Sequence, residues 1–134
     1  CAKAGEVTMR ILSIDDSNSI RHAVRKMLEV IGAEFFEGHD GQEGLEVLEK
    51  EGPVDLILLD MEMPRLDGMG FLEAVKKDPR WKDIPVIVVS SIAQKERMIR
   101  AVQEGAKQYL TKPFTSEQLL TKIVDALHLD GDVE

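Results

Sequence analysis

A chain of 134 residues with 43% hydrophobic residues has enough apolar material for one core, so a single domain is expected, and 31% charged residues is an ordinary globular share. A net charge of −8 works against sequence-independent nucleic-acid binding, which needs Lys and Arg to neutralise phosphates, and against docking on an anionic membrane. Cys1 is the only cysteine, which excludes an internal disulfide, and no apolar run approaches the ~20 residues needed to span a bilayer.

Residues 1–8 are polar and patternless and read as a tail. Met9 reads as a natural start, and Cys1 as a fragment end rather than a lipid-attachment point. From Met9 onward, apolar runs alternate with helical patterns. Residues 10–14 are the first predicted strand, and Asp15 and Asp16 follow it. Ile20, Val24, Met27, Leu28 and Ile31 recur at helical spacing, with Ser17 or Ser19 as cap and Gly32 as stop. Residues 34–37 are a poorly patterned second strand, and 42–49 form a helix carrying Leu45 and Leu48. Residues 55–60 form a near-continuous Leu/Ile run, the mark of a strand buried on both faces, and close on Asp60. Met63-Pro64 and Asp67-Gly68 then make a turn-rich loop before a helix over 69–75 with Phe71, Leu72 and Val75. Residues 86–90 are a second doubly buried strand, ending at Ser90. The helix over 94–102 offers Met98, Ile99 and Val102 and stops at Gly105. A fifth strand over 107–110 leads to Lys112 and Pro113. Thr115 and Gln118 form a capping box for a last helix that offers Leu119, Leu120, Ile123, Val124 and Leu127 to the core.

Five strand–helix alternations predict an α/β fold with a parallel sheet covered on both faces. Right-handed crossovers leave few topologies. Parallel strands bring their carboxyl ends to one edge, where open α/β sheets place their ligand sites. Asp15, Asp16, Asp60, Ser90 and Lys112 all fall at such ends. Taken singly, each has a plain reading. Asp15 or Asp16 caps a helix, Asp60 bonds its own loop, Ser90 ends a strand, and Lys112 is solvated. As a set they point to phosphoryl chemistry. Clustered carboxylates repel unless a cation neutralises them or one is protonated. Mg²⁺ suits oxygen ligands and a substrate phosphate, and no Cys/His spacing suggests zinc. A carboxylate can accept a phosphoryl group, Lys112 can face its oxygens as a point charge, and Ser90 can donate to another. Neither a G-x-G-x-x-G nor a Walker A loop occurs, which disfavours nucleotide binding. His22, His39 and His128 are isolated and read as surface or helix residues, Trp81 as locally packed, and the six Met as core filling.

The stretches Ile11 to Ser17, Asp55 to Asp60 with Met63-Pro64 and Asp67-Gly68, Pro85 to Ser90, and Gly105-Ala106 through Tyr109 to Lys112-Pro113-Phe114 resemble the receiver domain of bacterial two-component response regulators, in the CheY-like single-domain style. The resemblance covers about residues 9–128. It implies a flavodoxin-like doubly wound five-stranded parallel sheet, order 2-1-3-4-5, with five helices; alternation alone leaves the order open. The receiver would occupy 9–129, between tails at 1–8 and 130–134. Asp60 would be the phosphoacceptor. Asp16 and Asp60 would bind Mg²⁺ directly, Asp15 would assist through water or hydrogen bonds, and the Glu62 backbone carbonyl would be a further ligand. Lys112 would contact the phosphoryl group, and the Lys112-Pro113 bond would be cis. Ser90 and Tyr109 would be the switch pair, with Ser90 moving toward the phosphoryl oxygens and Tyr109 turning inward. The bare sequence leaves Tyr109 open between switch and half-buried core residue. Glu62 and Ile92 flank the path of hydrolytic water and leave the phosphoryl lifetime open, and Glu62 also reads as a solvated loop residue.

The resemblance implies a cytoplasmic phosphorelay switch rather than an enzyme, with only self-catalysed phosphoryl transfer and hydrolysis. Its donor would be a histidine kinase or phosphotransfer protein. Its output would be a target protein bound at the face of the fourth helix, fifth strand and fifth helix, with no nucleic acid or membrane. The single-domain form suggests chemotaxis, and a receiver cut from a larger regulator is the alternative. An aspartyl-nucleophile phosphohydrolase of the haloacid-dehalogenase kind is disfavoured, because Asp60 lies on the third strand and no cap element is present. A scaffold working unphosphorylated is disfavoured by the complete acid set with Lys112.

Overall fold

The computed structural model describes residues 9–61, 68–91 and 95–128. Ten elements alternate along them: β1 (Arg10–Ile14), α1 (Asn18–Glu29), β2 (Glu34–Gly38), α2 (Gly41–Glu51), β3 (Leu56–Asp60), α3 (Gly68–Lys77), β4 (Val86–Ser91), α4 (Lys95–Gln103), β5 (Gln108–Lys112) and α5 (Ser116–His128). All four strand pairings are parallel, in the order β2-β1-β3-β4-β5. This is the expected flavodoxin-like sheet.

Local chemistry explains where elements begin. Ser17 caps α1 by accepting from the Ile20 amide at 3.2 Å, and Asp40 caps α2 by accepting from the Glu43 amide at 2.8 Å. At α5 the capping box closes both ways. The Thr115 amide donates to Gln118 Oε1 at 2.9 Å, and the Gln118 amide donates to Thr115 Oγ1 at 3.1 Å. β3 starts one residue later than expected, because the Asp55 side chain turns back to accept from the Arg10 amide at 2.8 Å. β5 runs on to Lys112, which therefore sits inside the ladder, opposite Ser91.

Alternate strand residues feed two cores, one on each face of the sheet. Leu12, Ile57 and Val88 face Leu48, Phe71 and Met98 of α2, α3 and α4. Ile11, Leu58 and Val89 face Val24, Leu119 and Ile123 of α1 and α5. Four residues expected in the core are exposed instead: Ile31, Ile99, Val102 and Val124. On α4, Met98 and Ala101 point at the sheet, so Ile99 and Val102 lie about 100° round the helix. On α5, Leu119, Ile123 and Ala126 take the inward row and turn Val124 outward. Ile31 falls beyond the end of α1. Trp81 is a member of the first core rather than a local packing residue, and the Arg80 guanidinium stacks on its ring at 4.2 Å. Arg80 also grips Glu49 and Asp78, and its hydrogen bonds hold both carboxyls below their usual range.

Gly68 opens α3 directly against the end of β3. A Cβ there would lie 2.7 Å from Met61 Cα and 2.8 Å from the Asp60 carbonyl oxygen, both backbone atoms that cannot swing aside. Gly68→Ala is therefore expected to destabilise the fold by about 1–3 kcal/mol. Urea denaturation checks this, and a midpoint equal to the parent's would refute the close approach.

Candidate functional site

Strand register assembles the site. Ile14 pairs with Leu59, so the next residues, Asp15 and Asp60, emerge level on neighbouring strands. Asp60 pairs with Val89, which places Ser90 one residue further along on the other side. Lys112, opposite Ser91, reaches back with its long stem. Its Nζ lies 3.2 Å from Asp15 Oδ2 and 3.5 Å from Asp60 Oδ1. Asp15 and Asp60 are 3% and 5% exposed, Ser90 is equally buried, and Asp16 is exposed. Asp15, Asp16 and Asp60 each offer a carboxylate oxygen, and these atoms all lie within 4.8 Å of one another.

Asp15 is more than a charge. Its Oδ1 accepts from the Ser17 amide at 2.9 Å, and its own amide donates to the Gly38 carbonyl at 3.1 Å. It therefore braces the β1–α1 loop while Ser17, not Asp15, caps the helix. The floor beneath Asp15 and Asp60 is apolar, formed by Val24, Leu58, Val89 and Phe114. Burial works against the charge on Lys112 and is the largest single influence. Asp15 and Asp60 together outweigh it and hold the ammonium's pKa above its ordinary value.

One ammonium against three carboxylates leaves the cluster net negative. It could hold a further cation, and an all-oxygen donor set favours a hard one, Mg²⁺ or Ca²⁺, over zinc. The residues present fit a divalent metal.

The five residues singled out by sequence fall at the carboxyl ends of four adjoining strands, β1, β3, β4 and β5. The Lys112-Pro113 bond is cis. Tyr109 is 43% exposed, with its ring beneath Lys122 Nζ at 5.2 Å. Glu62, Met63, Pro64, Asp67 and Ile92 lie outside the described residues. His22 and His39 are exposed; His39 pairs with Glu43, and that contact lowers the Glu43 pKa. Sequence reasoning missed Arg21. It is buried on α1, donates to Glu37 of β2 at 3.1 Å and to Asn18 in the first turn of α1, and so ties the start of the helix to the sheet. Its Nε has no partner among the described residues. The available signal was position: Arg21 stands three residues before Val24 and seven before Leu28, on the inward stripe of the helix.

The response regulator receiver domain family matches residues 11–124. Over 123 residues the chain is 39% identical to the sensor histidine kinase CheAY of Helicobacter pylori, covering 91% of this chain but 15% of that one. It is 35% identical over 116 residues to the chemotaxis protein CheY of Pseudomonas aeruginosa, covering 86% and 93% of the two chains. The solved structure of Vibrio cholerae CheY4 superposes with a TM-score of 0.83 at 31% identity, covering 90% of this chain and 100% of that one. The sheet order, the acid cluster at its carboxyl edge and these likenesses agree: the chain belongs to the response regulator receiver domain family, the phosphoacceptor signalling switches of two-component systems.

Proposed function

We propose that Asp60 is the phosphoacceptor, that Mg²⁺ is the cation of the acid cluster, and that the output is a change in the face formed by α4, β5 and α5. The observation that carries this reading is the Lys112 ammonium lodged between two buried carboxylates, beside a third acid. Asp16, Asp60 and the Glu62 backbone carbonyl would hold the metal, with Asp15 assisting. Bound there, the ion would neutralise charge on the phosphoryl oxygens and the acids.

This chain's own groups do the rest. A carboxylate oxygen of Asp60 attacks phosphorus in line. The bond from phosphorus to the donor's histidine nitrogen breaks, and its electron pair leaves with the imidazole. Lys112 shifts from carboxylate to phosphoryl oxygen, a point charge already in place. Ser90 supplies a hydroxyl from the adjoining strand. Tyr109 turns from its exposed position toward the space that Ser90 vacates, as a population shift. The exposed Ile99, Val102 and Val124 flank Tyr109's strand on α4 and α5 and support this face as the output surface. Phosphoryl transfer and hydrolysis are the only reactions in this reading, and no other substrate is turned over.

The partners in this reading are a histidine kinase or phosphotransfer protein upstream and a target protein downstream, without nucleic acid or membrane. Among the described residues no helix is long and apolar enough to cross a membrane. The receiver is read as 9–129, acting in the cytoplasm, and chemotaxis is the output class that the CheY relatives support.

Intact mass after incubation with acetyl phosphate and Mg²⁺ tests the acceptor. The parent is expected to gain one phosphoryl group, Asp60→Asn none, and chelation of the metal should prevent the gain. A phosphorylated Asp60→Asn protein would overturn the assignment.

Lys112→Ala strands Asp15 and Asp60 without their ammonium, at an expected cost of about 3 kcal/mol. The urea midpoint should fall in divalent-free buffer and recover in part with Mg²⁺. Because pairing raises the Lys112 pKa, the parent keeps this contribution in full below the ordinary value of 10.5 and loses it as pH climbs past the raised one. The variant should lack that alkaline loss. It should also accept some phosphoryl group without gaining affinity for its partner, and an unchanged affinity gain would refute the coupling role.

A further inference from the structure

Lys122 of α5 is placed where it acts on Tyr109 and on nothing in the acid cluster. Its Nζ stands 5.2 Å from the centre of the Tyr109 ring, and it donates to Gln108 Oε1 at 3.4 Å. Both contacts are on β5, so the ammonium lies across two consecutive residues of the strand that carries the aromatic. Tyr109 and Lys122 also line one wall of a groove between β5 and α5, with Thr111, Pro113 and Glu117. Tyr109 is 43% exposed there, so its ring is not held in place by burial. A cation over an aromatic face is attracted to it, and the attraction exists only while the ring stays beneath the charge.

We propose that Lys122 is a positioning residue that latches Tyr109 outward and so sets how often the unphosphorylated chain visits the active arrangement. The idea rests on the reading of Tyr109 as the switch aromatic. When the ring turns inward it leaves the ammonium, and that interaction is lost. Gln108 keeps its hydrogen bond in either state, so Lys122 stays over the strand and can take the ring back. The latch therefore adds stability to the outward state alone, which is what a bias on a two-state equilibrium requires. At a half-exposed site the interaction corresponds to about a two- to five-fold shift in population. That is enough to lower basal signalling and small enough for phosphorylation to override.

The chain contains one tyrosine, so uniform 3-fluorotyrosine labelling gives a single ¹⁹F resonance that reports Tyr109 alone. The parent is recorded before and after addition of acetyl phosphate with Mg²⁺, beside Lys122→Met and Lys122→Arg. Methionine keeps length and packing without the charge, and arginine keeps the charge. The expected result is a parent resonance that moves on phosphorylation. Without phosphodonor, Lys122→Met should be displaced part of the way toward that position, by about a two- to five-fold population change, while Lys122→Arg remains with the parent. If the parent moves but unphosphorylated Lys122→Met does not, the latch is wrong and the switch reading stands. If Met and Arg displace the resonance equally, packing rather than charge is responsible and the latch is again wrong. If the phosphorylated parent, verified by mass, shows no movement of Tyr109, the switch reading fails and the latch with it.

Discussion

Two buried carboxylates side by side are the constraint on which this structure turns. Asp15 and Asp60 emerge level from neighbouring parallel strands over an apolar floor, where their repulsion is screened little by water. The fold answers with the Lys112 ammonium, brought from β5, two strands from Asp60 and three from Asp15, to reach both. The answer is deliberately incomplete, since the exposed Asp16 keeps the cluster short of neutrality. A fully neutralised trio would be a structural ion-pair network with no reason to take a cation or an anionic group. An entirely unanswered trio would oppose folding. The single lysine leaves the site between these limits.

The surrounding elements hold that balance in place. Asp15 spends one oxygen on the Ser17 amide and the other on Lys112, so its orientation serves the helix entry and the charge cluster at once. Arg21 grips Glu37 and Asn18 from inside α1, against the preference of a helix N-terminus for negative charge. That unfavourable placement is offset because the guanidinium joins the first turn of α1 to β2. On the far side, the start of α3 presses on the backbone at Asp60 and Met61, so the strand end cannot relax away from its neighbours.

Most of the fold was legible from periodicity. The Leu/Ile run of β3 and the Val/Ile run of β4 announce doubly buried strands, and Ser17, Thr115 and Gln118 mark helix starts by their own chemistry. Three of the errors share one cause. Ile99, Val102 and Val124 belong to helices whose apolar residues outnumber the positions facing the sheet, and composition cannot say which arc turns inward. The site was legible as a list, because Asp15, Asp60, Ser90 and Lys112 each close a strand pattern. Their distances were not, since these depend on register between strands far apart in sequence. Arg21 was overlooked because a charge on an apolar stripe reads as noise until its partner, sixteen residues on, is seen beside it.

Asp15, Asp60 and Lys112 come from the ends of β1, β3 and β5, and only the sheet makes them neighbours. No short stretch of the chain contains the site, so its unfolded form offers a divalent ion little beyond scattered carboxylates. Any cation the cluster takes would then be linked to global folding by mass action: a ligand of the folded chain alone raises the melting temperature with its concentration. A receiver of this design reports its own integrity, because a copy that has lost its sheet has lost its chemistry too and cannot carry a false signal.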